Sequence, residues 1–228
     1  MGNLYKLISE DVRFEECLTA CMNCGICTAI CPAAEFYAYD PRKIMDTIQR
    51  QDEKEIEKLL SSDTIWYCGQ CMSCKTRCPR NNIPGTLINI LRKVSQEMGY
   101  FANSEKGIQQ FALKEALVNN ILEIGYCVHP DRVSPDRHPE QGPIWEWYLE
   151  HIEDVAPKMG ANYHGDGPGA LRTIRKENLE EVRRIFEATG ATKLTDAIDT
   201  YAKKESGIND NATLFDRVFT YNSEYNEE

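Results

Sequence analysis

Two short blocks of cysteine constrain this chain more than anything else in it. The first, CMNCGICTAICP, carries Cys21, Cys24, Cys27 and Cys31; the second, CGQCMSCKTRCP, carries Cys68, Cys71, Cys74 and Cys78. Within each block the cysteines are spaced by three, three and four residues, and a proline, Pro32 or Pro79, follows the last. The blocks repeat at an offset of 47 residues, and this isolated repeat is too little for a solenoid. The ten cysteines do not read as a disulfide framework. The opening MGNLYKLISEDVRFEE has no basic n-region, apolar h-region or small-residue cleavage site, so the reducing cytoplasm is the expected compartment.

Cysteine at every third position of a tight turn supplies three of the four thiolates that a cubane 4Fe-4S cluster requires. The proline after the fourth cysteine discourages continuation of the turn and sends the chain away, so that cysteine is expected to serve the other cluster. The spacing therefore predicts two 4Fe-4S clusters, one held by Cys21, Cys24, Cys27 and Cys78 and the other by Cys68, Cys71, Cys74 and Cys31. A non-redox, zinc-stabilised scaffold is the competing reading. A zinc ribbon uses two cysteines per block, so zinc leaves half of these thiols over. No catalytic residue is expected. Lys75, Arg77 and Arg80 lie in or beside the second loop. The first loop has no cation between Cys21 and Cys31 and follows Glu15 and Glu16, so the second-block cluster is expected to be the easier to reduce.

Around the blocks, strand-like alternation is nearly absent and helical spacing recurs, which predicts an all-α chain. Asp40 reads as an N-cap with Pro41 at the first helical position and Ile44 and Ile48 on one face; Ile56, Leu59 and Leu60 mark a second short helix. Pro84 opens a longer helix with Leu87, Ile90, Leu91, Val94 and Met98 as its stripe and Gly99 at its end. Ser104 to Gly125 reads as one long helix with Leu113, Leu117, Ile121 and Ile124 on one side. A proline-rich connection then leads to Trp145, Trp147 and Tyr148. Later helices are marked by Leu179, Val182, Ile185 and Phe186, and by Ala197, Ile198, Tyr201 and Ala202, while the terminal NSEYNEE reads as frayed. The chain, 228 residues long, divides into a cluster domain over 1–100 and a helical C-terminal extension over 101–228. With 36 acidic against 26 basic side chains, it is not expected to bind nucleic acid. It contains no apolar run long enough to span a membrane.

Beyond the ligands, DPRKI after the first block and IWYCGQCMSCKTRCPR around the second resemble the C subunits of heterodisulfide reductases, the helical two-cluster ferredoxin subunits, over about residues 10 to 100. That resemblance implies a cytoplasmic electron relay between two partners, the A subunit with its flavin and iron-sulfur groups and the catalytic B subunit, whose CCG motifs handle disulfides. This chain has no CCG motif, so the resemblance leaves the chemistry to a partner. The length of the tail is similar to that of the C subunits in the heterodisulfide reductase-like complexes of sulfur-oxidising bacteria and archaea, which work with lipoate-binding proteins. The rival within redox proteins is the iron-sulfur subunit of a respiratory or glycolate-type dehydrogenase. Such subunits usually add a 2Fe-2S domain or CCG repeats, and neither is present.

The remaining signals have plainer readings. Cys17 is read as a buried small hydrophobe rather than a redox thiol or spare ligand. Cys127, His129 and His138 match no ligand template and are read as a loop cysteine with solvated histidines. GDGPGALRTIRK lacks the strand and closing Lys-Ser/Thr of a phosphate loop and reads as a linker into a helix. Trp145, Trp147 and Tyr148 suit either a partner surface or a core.

Overall fold

The computed structural model describes residues 3–224. Among them there is no strand, and helices and turns account for all the regular structure. Two short helices, α1 (Leu4–Ser9) and α2 (Phe14–Cys17), precede the first block. The block itself contains α3 (Ile26–Ala29), and α4 (Ala33–Phe36) follows it. Then come α5 (Pro41–Arg50), α6 (Glu53–Leu60) and a 3-10 turn over Asp63–Trp66. The second block contains α7 (Ser73–Arg77) and leads into α8 (Pro84–Met98).

Caps fix these elements where the sequence pattern places them. The Asp40 carboxylate accepts hydrogen bonds from the amides of Arg42 and Lys43, and Pro41 occupies the first turn; such a cap is worth about 1 kcal/mol. Asp52 caps α6 in the same way. Ile44, Met45, Ile48, Ile56 and Leu60 are buried against Leu87, Ile88, Ile90, Leu91 and Val94 of α8. Each such side chain contributes roughly 1.5–3 kcal/mol of burial. Ser95 locks the arrangement, donating to the Leu60 carbonyl at 2.8 Å. The α8 stripe ends one turn earlier than its spacing suggests: Met98 is 40% exposed. Gly99, at φ +83°, ends the helix, and the ring of Tyr201 lies where a Cβ on it would stand. Cys17 is fully buried in this core, as a small hydrophobe would be.

The chain forms two compact units, Met1–Phe111 together with Asp196–Glu228, and Ala112–Thr195. Segments beyond residue 195 thus complete the unit that holds both cysteine blocks. The long helix expected over 104–125 is α9 (Glu105–Leu113), a π-helical stretch over Lys114–Val118 and α10 (Asn119–Ile124). Leu113, the last residue of α9 before this π stretch, is 50% exposed. Within the second unit, α11 (Pro143–Glu150), α12 (Ile152–Lys158) and α13 (Lys176–Thr189) follow. Arg183 on α13 donates to the Leu122 carbonyl of α10 at 2.9 Å. Ile185 of the expected α13 stripe is 53% exposed, whereas Leu179 is buried. The remaining helices are α14 (Ala191–Ser206) and α15 (Asn211–Glu224). The frayed end read from NSEYNEE meets helix as far as Glu224, and its last four residues lie outside the described ones. No helix among the described residues is long and apolar enough to cross a membrane.

Candidate functional site

Each cysteine block folds the same way, down to its unusual backbone. The second residue after the leading cysteine, Asn23 or Gln70, and the fourth, Gly25 or Met72, all have φ between 56° and 80°. Left-handed positions of this kind turn backbone amides inward, as in the concave nests that bind anions and iron-sulfur groups. A non-glycine residue held there costs on the order of 1–2 kcal/mol, and Met72, with no polar side chain to compensate, is the clearest case. The third cysteine of each block, Cys27 or Cys74, then sits on a single-turn helix, α3 or α7. The fourth, Cys31 or Cys78, lies just past that helix.

Helices α3 and α7 pack against each other, and the chain on either side is tied across. Buried Asn82 accepts from the Thr19 amide at 2.9 Å and donates to the Ala20 carbonyl at 3.1 Å, while the Ile83 amide donates to the Cys17 carbonyl at 3.0 Å. The exit of the second block is therefore stitched to the entry of the first. Gln49 of α5 holds Cys21 from the other side, accepting from its amide at 2.6 Å and donating to its carbonyl at 3.2 Å. Asp40 adds a third tie, accepting from the Thr28 hydroxyl on α3 and from Arg42. The DPRKI motif thus serves the structure on both sides: Asp40 anchors α3, Pro41 borders one cavity, Arg42 the other, and Ile44 fills the core.

These ties produce two cysteine-lined cavities. One, of about 220 Å³, is bordered by Cys31, Cys68, Cys71 and Cys74; the other, a narrow cleft of about 20 Å³, by Cys21, Cys24, Cys27 and Cys78. Each set takes three thiols from one block and the fourth from the other. Pro84 borders both cavities, so the N-terminus of α8, with its partial positive charge, lies between them. The Gly85 amide there is directed at Cys74.

The larger cavity has an aromatic wall that includes Phe36, Tyr39 and Tyr67, and a cation, Arg92, behind Cys68, and sequence reasoning missed both Tyr39 and Arg92. Half-buried Arg92 donates to the carbonyls of Ile65, Trp66 and Cys68 at 2.8, 3.0 and 2.7 Å, and its guanidinium stands 5.4 Å from the centre of the Trp66 ring. Among the described residues no carboxylate pairs with it. Burial lowers its pKa while the adjacent Cys68 raises it, which suits a cation placed beside thiolates. Tyr39 is 3% exposed, and its hydroxyl has no partner among the described residues apart from Cys68 beside it. Burial, with Cys68 adding to it, pushes the phenol well above its ordinary pKa, so it keeps its proton and can donate. Gln70 Nε2 lies 3.4 Å from the Cys68 sulfur. At the narrow cleft the donors to sulfur are backbone amides: Asn23 to Cys21 at 3.4 Å and Asn82 to Cys78 at 3.3 Å. Arg42 and Arg80 line its rim. Neither Tyr39 nor Arg92 carried a motif in the sequence; Arg92 is separated by 24 residues from the cysteine it supports.

The donor set fits iron-sulfur clusters. Burial pushes the Cys27 thiol up to about 11 and raises Cys74 also, whereas the Ser73 hydroxyl lowers Cys71. Ligation deprotonates all of them, so loading a cluster releases protons. Converging thiols, amide nests, a buried phenolic donor and a cation with no carboxylate partner among the described residues all favour an anionic group bound through sulfur.

Comparison with known proteins is consistent with this chemistry. Residues 17–82 match the family model of the 4Fe-4S dicluster domain. The chain is similar to the C subunit of ferredoxin:CoB-CoM heterodisulfide reductase from Methanosarcina acetivorans, 30% identical over 189 residues that span 82% of this chain and 69% of the relative. It is similar also to the iron-sulfur C subunit of CoB-CoM heterodisulfide reductase from Methanopyrus kandleri, 28% identical over 71% of this chain and 82% of that one. The C subunit of H(2):CoB-CoM heterodisulfide,ferredoxin reductase from Methanothermobacter marburgensis is 30% identical over 70% of this chain and 85% of its own length.

Proposed function

This chain belongs to the family of heterodisulfide reductase C subunits, and from that membership we propose that it carries electrons within a heterodisulfide reductase-like complex, between the A subunit, which holds flavin and iron-sulfur groups, and the CCG-motif B subunit. One cluster is held by Cys21, Cys24, Cys27 and Cys78, the other by Cys31, Cys68, Cys71 and Cys74. When bound, a 4Fe-4S cluster supplies a one-electron couple. The residues of this chain hold and tune it: cysteines ligate, amide nests and Gly85 stabilise negative charge on sulfur, and Tyr39 and Arg92 bias one site toward its reduced form. The observation that carries the reading is the crossed grouping of thiols, in which each cavity takes its fourth cysteine from the other block. Disulfide chemistry belongs to the CCG-motif partner.

In its finer form the complex is the cytoplasmic type of sulfur oxidisers, served indirectly by a lipoate-binding protein. The relatives' names offer the CoB-CoM heterodisulfide instead. The two differ in what the CCG-motif partner handles and leave the role of this chain unchanged. Anaerobically purified full-length protein is expected to contain about eight irons and eight acid-labile sulfides; zinc in their place overturns the relay. Isolating the complex and assaying it with CoB-CoM heterodisulfide and with a lipoyl protein decides between the two substrates.

A further inference from the structure

His129, expected in solvent, is 4% exposed. It lies in the second unit, where it caps the 3-10 turn Pro130–Arg132: its Nδ1 accepts from the Asp131 amide at 3.3 Å. That contact turns the Nδ1 edge of the ring toward Asp131; the bond is long, and a bound metal ion would take over the nitrogen's single in-plane lone pair in its place. The Asp131 carboxylate oxygen Oδ2 stands 3.5 Å from it and 2.7 Å from His164 Nε2. Its other oxygen accepts from the Tyr163 hydroxyl at 2.6 Å, which fixes the plane of the carboxylate.

His164 reaches this position through a tightly bonded loop. It holds φ +56°, and its amide and carbonyl are bound to the Leu171 carbonyl and the Thr173 hydroxyl at 3.0 Å each. Asn162 fills the space where side chains on Gly165 and Gly169 would stand. The glycine run that resembles a phosphate loop is therefore the means of folding this segment back onto Asp131. The two imidazole rings are nearly parallel, at 4°, with centroids 5.9 Å apart and the carboxylate serving both.

We propose that His129 Nδ1, Asp131 Oδ2 and His164 Nε2 bind a divalent first-row transition ion, with zinc the best match. All three atoms lie within 4.8 Å of one another. A zinc ion with bonds of about 2.0–2.2 Å sets neighbouring ligand atoms roughly 3–3.5 Å apart; the 3.5 Å between His129 Nδ1 and Asp131 Oδ2 matches that range, while the 2.7 Å contact of His164 is a hydrogen bond whose proton the ion would displace to solvent. Two neutral imidazoles and one carboxylate suit zinc, iron(II) or cobalt(II) far better than calcium or magnesium, which take oxygen ligands. A second observation points the same way. His164 and Tyr163 border a cavity of about 320 Å³ whose other walls include Glu150, His151, Glu153 and Asp154. Its acidic lining draws cations toward His164. Tyr163, holding the far oxygen of Asp131, is the positioning residue.

The test is an anaerobic calorimetric titration of the full-length, cluster-loaded chain with Zn2+ itself. The expected result is one zinc per chain beyond the iron content, with zinc-edge X-ray absorption reporting nitrogen and oxygen neighbours at about 2.0–2.1 Å. His164→Asn, which keeps an exposed residue tolerant of positive φ, is expected to weaken binding at least about tenfold, and Asp131→Asn to do the same. Cys127→Ser removes the nearest exposed thiol in sequence and is expected to leave binding unchanged. No binding, binding untouched by both ligand variants, or sulfur neighbours near 2.3 Å would each overturn the site.

Discussion

The two cysteine-lined cavities are built from one sequence pattern and differ in everything the pattern leaves unspecified. Their loops share left-handed positions, a single-turn helix and a crossing fourth cysteine. The larger cavity is backed by Arg92 and by the buried Tyr39 hydroxyl, whereas the narrow cleft relies on backbone amides and on Arg42 and Arg80 at its rim. A charge shielded from water acts at a lower effective dielectric than one on a rim. In the proposed relay, ligation follows from the repeat, and redox tuning from the residues brought in behind it.

The largest effect is expected from exchanging a crossing cysteine. Cys31→Ser should damage the cluster ligated by Cys68, Cys71 and Cys74 and spare the one nearest in sequence; Cys78→Ser should do the reverse. Electron paramagnetic resonance of the two variants reads this directly, and damage confined to the block that carries the substitution breaks the crossed arrangement.

Removing the cation behind the larger cavity comes next. Arg92→Met should lower the potential of that cluster alone by on the order of 100 mV, as expected for roughly 2 kcal/mol of charge interaction, about half that of a contact pair at an effective dielectric near 20. Arg92→Lys retains the charge but loses the fork that binds three carbonyls. It should restore most of the potential while leaving the protein less stable by about 1–3 kcal/mol in denaturant titration. Equal loss of potential in both variants would assign Arg92 a purely structural role.

Tyr39→Phe removes one hydrogen-bond donor and little volume. Because a hydrogen bond to sulfur favours the electron-rich reduced form, the larger-cavity potential should fall by about 50 mV, corresponding to ~1 kcal/mol for one bond. An unchanged potential means that the phenol does not donate to the cluster. The smallest shift is expected from Arg42→Gln, confined to the narrow-cleft cluster and erased by added salt, because this guanidinium is open to solvent and already paired with Asp40. If Arg42→Gln moves the larger-cavity signal instead, the two signals have been assigned to the wrong cavities.

The charges beside the second block mark where linear reasoning stops. Lys75, Arg77 and Arg80 stand together in the sequence, but Arg80 borders the narrow cleft with Cys78, and Lys75 and Arg77 are exposed. The larger cavity is still expected to hold the more easily reduced cluster, now because of Arg92 and Tyr39. His129 follows the same rule. Two residues from Asp131, it looks like an ordinary loop histidine until a glycine-shaped turn well downstream brings His164 against the same carboxylate.

Local sequence suffices for the 4Fe-4S cofactor, the all-helical class, the Asp40 and Pro41 start of α5, and the α8 core stripe through Val94. These depend on interactions within a few residues: cysteine spacing within one turn, a side chain capping its own helix, and apolar positions repeating every 3.6 residues. Tertiary packing alone settles which cations face which cavity, that Asn82 and Gln49 stitch the blocks together, and that segments beyond residue 195 complete the first unit. It also turns Met98 and Leu113 outward and His129 inward. Each of these depends on groups far apart in sequence meeting in space, and a side chain's burial or electrostatic effect is set by that neighbourhood rather than by its place in the chain.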